Sequence, residues 1–134
     1  GYREAIFLRW GDPVLPGAPA FHWHSQTPAA QAGQFGYNND YIALIADREP
    51  DTFFLCVNHE TPNSHLMFPV GARLTKAERA AIEMEAVGHS IVRVTLKEEM
   101  PPQLSQDRTA NRRITATTPC RLAGPAAGSS RLRT

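Results

Sequence analysis

The sequence predicts a mainly β chain carrying one short helix, and three observations point that way. Two continuous apolar runs of strand length flank a charged, proline-containing turn, and a later segment alternates apolar with polar residues. One stretch alone combines a helix start, good helix formers and a glycine stop. Eleven prolines and nine glycines add turn signals between short elements.

Taken in order, Glu4 to Arg9 (EAIFLR) is a short apolar run closed by the turn formers Trp10-Gly11-Asp12-Pro13, which reads as a strand and a turn. From Val14 to Gln34 neither a period of 2 nor one of 3.6 persists. This is a long irregular connection, a feature that in a compact domain serves a function or covers something. Tyr41 to Ala46 (YIALIA) and Thr52 to Val57 (TFFLCV) form a hairpin around Asp47-Arg48-Glu49-Pro50-Asp51. Because both faces of each run are apolar, the pair is expected to be buried on both sides within a larger assembly.

Thr75-Lys76-Ala77-Glu78 fits a capping box, in which the threonine hydroxyl accepts from the Glu78 amide and the glutamate reaches back to the Thr75 amide. The helix it starts covers Lys76 to Val87 and stops at Gly88. Ile91 to Lys97 then alternates, with Val92, Val94 and Leu96 on one face and Arg93, Thr95 and Lys97 on a wet one. Glu98 to Ala110, with Pro101-Pro102, is a loop. A further strand is expected around Ile114 to Thr118, and the tail from Leu122 has no regular pattern.

Fourteen basic and thirteen acidic side chains give a net charge of +1, which argues against a cationic nucleic-acid binder. With 42% hydrophobic residues the chain can build a core. No stretch nears the roughly 18 uninterrupted apolar residues of a membrane span. Cys56 and Cys120 allow one disulfide or two free thiols, and the count does not choose between them, although Cys56 lies inside an apolar run and reads as a small buried hydrophobe. The chain opens at Gly1 and not at Met, and ends abruptly at Arg133-Thr134; it reads as a fragment whose targeting segment lies outside it.

Polar chemistry gathers at the hairpin's ends. Asn58-His59-Glu60 stands where the strand TFFLCV leaves the core, and strand ends are where sites are built. Glutamate and asparagine supply hard oxygen ligands suited to calcium, whereas histidine suits iron or zinc or simply hydrogen-bonds. A solvated turn is the bland alternative. A zinc-protease helix is excluded, because HExxH needs histidine where Asn63 stands, and Pro62 breaks a helix. Asn38-Asn39-Asp40 precedes the other strand, so the register can bring the two clusters together; alone, such residues mostly cap turns. Asn111-Arg112-Arg113 offers guanidinium groups for an oxyanion, or merely a solvated face. His22, Trp23, His24, His65 and His89 read as packing or surface residues.

Five segments, FLRWGDPVLPGAPAF, QFGYNNDYIAL, FFLCVNHE, LMFP and NRRITATTPCRLAGPAAG, follow one another over nearly the whole chain. Together they resemble the N-terminal part of the PhoX-type alkaline phosphatases, large secreted bacterial enzymes. The resemblance implies that residues 1–134 are an N-terminal piece of a single larger β-propeller domain, contributing one or two incomplete blades and the helix. It also implies hydrolysis of phosphate monoesters at a cluster of Ca2+ and Fe3+ ions, a periplasmic or secreted location, a small-molecule phosphate ester as partner, no nucleic acid or membrane span, and a monomer when full length. Carried over by position, Glu60 is the leading metal ligand and Asp40 the second; Asn58, His59, Asn39, Arg112 and Arg113 shape the site or touch substrate. The remaining ligands, a cysteine and glutamates, are expected beyond Thr134, and neither Cys56 nor Cys120 fills that role. The competing expectations are a non-catalytic metal-binding propeller lobe and a calcium-dependent propeller hydrolase such as a lactonase.

Overall fold

The computed structural model describes residues 4–132. Its framework is one open, antiparallel, five-stranded sheet. In chain order the elements are α1 (Pro28–Ala32), β1 (Asn39–Ala46), β2 (Thr52–His59), α2 (Ser64–Met67), α3 (Lys76–Ala86), β3 (Gly88–Thr95), β4 (Gln103–Leu104), β5 (Arg112–Ile114) and a 3-10 turn at Ser130–Leu132. The expectation of a mainly β chain with few short helices holds; the sheet is not closed.

The hairpin forms as read, with Ala43 opposite Cys56 and Leu44 opposite Leu55, and a register shift falls between Asn39 and Ile42. Asp51 takes a left-handed backbone to close its turn. β3 pairs with β2 along its whole length, from Thr52 opposite Thr95 to His59 opposite Gly88. Its other edge is shared by β5, beside His89–Ile91, and β4, beside Val94–Thr95. The alternation is realised: Ser90, Val92 and Val94 are buried, and Ile91 and Arg93 are only half-buried. Val92 and Val94 join Val14, Phe35 and Val57 in the main core cluster.

The capping box of α3 is present in both directions, with Glu78 N donating to Thr75 Oγ1 at 3.2 Å and Thr75 N to a Glu78 carboxylate oxygen at 2.7 Å. The helix buries Ile82 and Ala86 with Met67 and Phe68 in a second cluster, against which Trp10 and Tyr37 pack. Gly88 both ends the helix and begins β3. Its φ is +108°, and a Cβ there would lie 2.1 Å from the Ile114 carbonyl oxygen, so glycine is required by conformation and by space.

Three expectations need correction. Glu4 to Arg9 pairs with no strand; Phe7 and Leu8 instead lay their side chains on the main core cluster, so the apolar signal reported burial and not a ladder. β1 is the sheet's edge strand, and in this chain its Tyr41, Ile42, Leu44 and Ile45 are 52–62% exposed. The last strand falls at Arg112–Ile114, and Thr115–Thr118 closes a turn through Thr115 N donating to Thr118 Oγ1. The irregular connection contains α1, capped by Thr27 with proline in its first turn. The cysteine alternatives resolve to two free thiols, Cys56 buried and Cys120 exposed.

Candidate functional site

The hairpin register brings the two polar clusters to one end of the sheet. Asn39 stands opposite His59, and beyond the last rung Glu60 N donates to Asn38 O at 3.0 Å. Asn38 holds a left-handed backbone, which asparagine tolerates, and its Nδ2 donates to Thr61 O at 3.1 Å. The segments before β1 and after β2 are thereby clamped, with Asn39, Asp40 and Glu60 exposed. Neither the Asp40 nor the Glu60 carboxylate has a hydrogen-bond or ion-pair partner among the described residues, so both are free to bind a hard cation.

Underneath, the sheet holds this end with a buried polar chain. Arg113 Nη1 donates to Ser90 Oγ at 3.3 Å, and Ser90 Oγ and His59 Nε2 share a 2.7 Å hydrogen bond. Ser90 Oγ thus bridges the guanidinium and the imidazole, while His59 Nδ1 and Arg113 Nε are buried without a hydrogen-bond partner. Arg113 Nη2 also donates to Glu85 O at 2.7 Å and to Val87 O at 3.4 Å, tying β5 to the end of α3. Phe35 packs edge-on against the His59 ring, with centroids 4.7 Å apart. Burial, reinforced by the positive charges of Arg113 and His89, pushes the His59 pKa down to about 3. Burial also lowers Arg113 to about 10, against the attraction of Glu85, so it stays charged at neutral pH while His59 is neutral.

Asn58 is half-buried and its Oδ1 accepts from His89 Nδ1 at 2.7 Å. The structure therefore places His59, Asn58 and Arg113 as supports of the hairpin end, and Asn39, Asp40 and Glu60 on its surface. Arg112 points elsewhere: its Nη1 donates to Thr109 O at 2.8 Å and Asn111 O at 2.7 Å. Asn111, buried, accepts from Arg93 N and donates to Val14 O, both at 2.7 Å, which gives the NRR segment a role in joining the N-terminal segment to β3.

Sequence reasoning missed His89 and Ser90, the partners of Asn58 and His59. The available signal was the alternation of β3 extended back by three residues, which sets Asn58 opposite His89 and puts Ser90 on the buried face. Among the described residues no three His, Cys, Asp or Glu side chains gather closely enough to hold a metal ion. The Glu60 and Asp40 carboxylates are hard oxygen donors.

Beside this end lies an open pocket of about 430 Å³, lined by Trp10, Tyr37, Asn38, Asn39, Thr61 and Asn63 among others. Asn38, Asn39 and Thr61 join this pocket to the strand end that carries Asp40 and Glu60. The family described as "Alkaline phosphatase PhoX" matches residues 1–134, and this chain belongs to that family. Among solved structures it is similar to "Pseudomonas fluorescens PhoX in complex with vanadate, a transition state analogue", with a TM-score of 0.86 and 32% identity over 97% of this chain. The chain spans 23% of the length of that protein. No curated protein matches it. No helix among the described residues is long and apolar enough to cross a membrane.

Proposed function

We propose that this chain is part of a phosphate monoester hydrolase and supplies one wall of its metal centre. The observation that carries the reading is that the segments bearing Asp40 and Glu60, two carboxylates unpartnered among the described residues, meet at one end of a hairpin in a chain of the PhoX alkaline phosphatase family. Membership of that family supports a phosphate ester substrate. The similar Pseudomonas fluorescens PhoX structure, a complex with the transition-state analogue vanadate, supports phosphoryl chemistry in that relative.

In this reading Glu60, with Asp40 beside it, holds Ca2+ or Fe3+, which supplies charge stabilisation for the phosphoryl oxygens when bound. The chain's own residues do the positioning. The Asn38–Glu60 and Asn38–Thr61 hydrogen bonds fix the loop that presents Glu60. Neutral His59 and charged Arg113 pin the strand beneath it, and Asn58 is oriented by His89. Arg112 is engaged through its Nη1 with the loop carbonyls of Thr109 and Asn111.

The same reading makes residues 1–134 an N-terminal part of a larger propeller domain, monomeric and periplasmic or secreted. The exposed apolar edge of β1 is consistent with cover by further strands of that domain. The test is hydrolysis of p-nitrophenyl phosphate by the full-length protein, with and without a chelator, beside Glu60→Gln. Hydrolysis that is lost on chelation and reduced at least a hundredfold in the variant supports the reading. Hydrolysis that is indifferent to both overturns it.

A further inference from the structure

We infer that the pocket beside Glu60 is a subsite for the hydroxyl-bearing alcohol portion of the phosphate ester, a sugar or other polyol; this rests on the phosphatase reading above. The pocket is uncharged. Its polar lining consists of the Asn38, Asn39 and Asn63 amides and the Thr61 hydroxyl, and its apolar lining comes from Trp10 and Tyr37. With no cationic side chain in its lining it is ill suited to the phosphate itself, which needs positive charge or metal. Amides and a hydroxyl beside aromatic rings are the chemistry that recognises a sugar: hydroxyl groups pair with the amides, and the ring's C–H surface lies on the aromatic carbon.

The free hydrogen-bonding capacity is specific. Asn38 spends its Nδ2 on Thr61 O and keeps Oδ1; Asn63 spends its Oδ1 on His65 N and keeps Nδ2. Asn39 and the Thr61 hydroxyl make no side-chain bond among the described residues. A donor, an acceptor and two groups able to be either thus border one opening.

The aromatic wall is built, not incidental. Trp10 Nε1 donates to Gln31 Oε1 at 2.7 Å, and the indole is held edge-on between Phe21 and Tyr37 at centroid distances of 4.8 and 5.2 Å. Gln31 is itself fully buried, accepting from Gln26 Nε2 at 3.1 Å and donating to Phe35 O at 3.3 Å, and Gln26 in turn donates to Gln34 at 2.6 Å. Gln31 thus fixes the indole directly and is held by Gln26, while Gln34 ties the same network to the Pro19 carbonyl, and a wall fixed in advance lowers the ordering cost of binding. Position links the pocket to the chemistry, since Asn38 and Thr61, which line it, are the residues that clamp Glu60.

The test compares glucose 6-phosphate with methyl phosphate in the full-length protein, using Thr61→Val and Asn38→Gly. Valine keeps the shape of threonine, and glycine keeps the left-handed backbone of residue 38. The ratio of kcat/KM for glucose 6-phosphate over methyl phosphate is expected to fall about tenfold in each variant, the effect of about one lost hydrogen bond. An unchanged ratio overturns the proposal. Saturation-transfer NMR with free glucose at millimolar concentration reads the pocket without turnover: a signal in the parent that fades in both variants supports it, and no signal in the parent overturns it. If the parent hydrolyses neither ester but still transfers saturation to glucose, the phosphatase reading fails and the sugar site stands.

Discussion

Neutral His59 makes the protein's stability depend on pH in a calculable way. Its unfolded imidazole takes a proton near the ordinary value of 6.5, whereas burial and the neighbouring positive charges hold the folded one at about 3. Between those values the unfolded chain binds more protons, so the contribution of His59 is fully present above pH 6.5 and is lost as the pH falls toward 3. Linkage over that window gives a loss of about 2 kcal/mol by pH 5 and about 3 kcal/mol by pH 4. The assay is urea unfolding at pH 7 and pH 5 for the parent and for His59→Gln, whose terminal amide can still reach Ser90 but does not titrate. The parent is expected to lose about 2 kcal/mol more than the variant over this interval. Equal losses in the two proteins would refute the claim that His59 is held neutral in the fold.

Other residues give sharper local tests. Gly36→Ala places a Cβ 2.3 Å from the His59 ring and 2.5 Å from Ala86 O, so urea unfolding should show a loss of about 1 to 3 kcal/mol through overpacking. Thr75→Ala removes the cap of α3 and is expected to cost about 1 kcal/mol, read as a lowered melting temperature by circular dichroism. Ile42→Lys, on the exposed edge strand β1, should leave the unfolding midpoint of the 134-residue chain within about 0.5 kcal/mol and reduce its self-association in light scattering.

How much was legible follows from how local each signal is. The helix is written in residues 75–88: a capping box, strong helix formers and a glycine whose backbone and surroundings exclude a side chain. The hairpin is equally local, since its turn chemistry fixes the register. That register runs to Ile42 opposite Val57, and the shift between Asn39 and Ile42, which no residue pattern announces, then sets Asn39 against His59 and Glu60 next to Asn38. What the sequence hid is carried by partners distant in the chain. EAIFLR has the apolar content of a strand, but whether it joins a ladder depends on a free edge in reach, and it packs its Phe7 and Leu8 on the core instead. β1 and β2 look alike as strings, yet Phe53, Leu55 and Val57 of β2 reach the main core cluster while β1, the edge strand, places no side chain there and stays largely exposed. His59 and Arg113 read as candidate site residues because their charge and chemistry are conspicuous. Their burial is decided by Ser90 and the α3 carbonyls, which no short motif announces. The glutamines behind Trp10 were invisible for the same reason: 26, 31 and 34 match no period, and their meaning lies in the network that holds one indole nitrogen.

The claim on which the rest depends is that Glu60 ligates a metal ion. It is tested most directly by titrating Ca2+ calorimetrically into the chelator-stripped full-length protein, into Glu60→Gln and into the remote control Glu98→Gln. The account predicts binding in the parent and in Glu98→Gln, with affinity in Glu60→Gln weakened at least tenfold, the effect of removing one charged oxygen ligand. Equal affinities in all three proteins would contradict it.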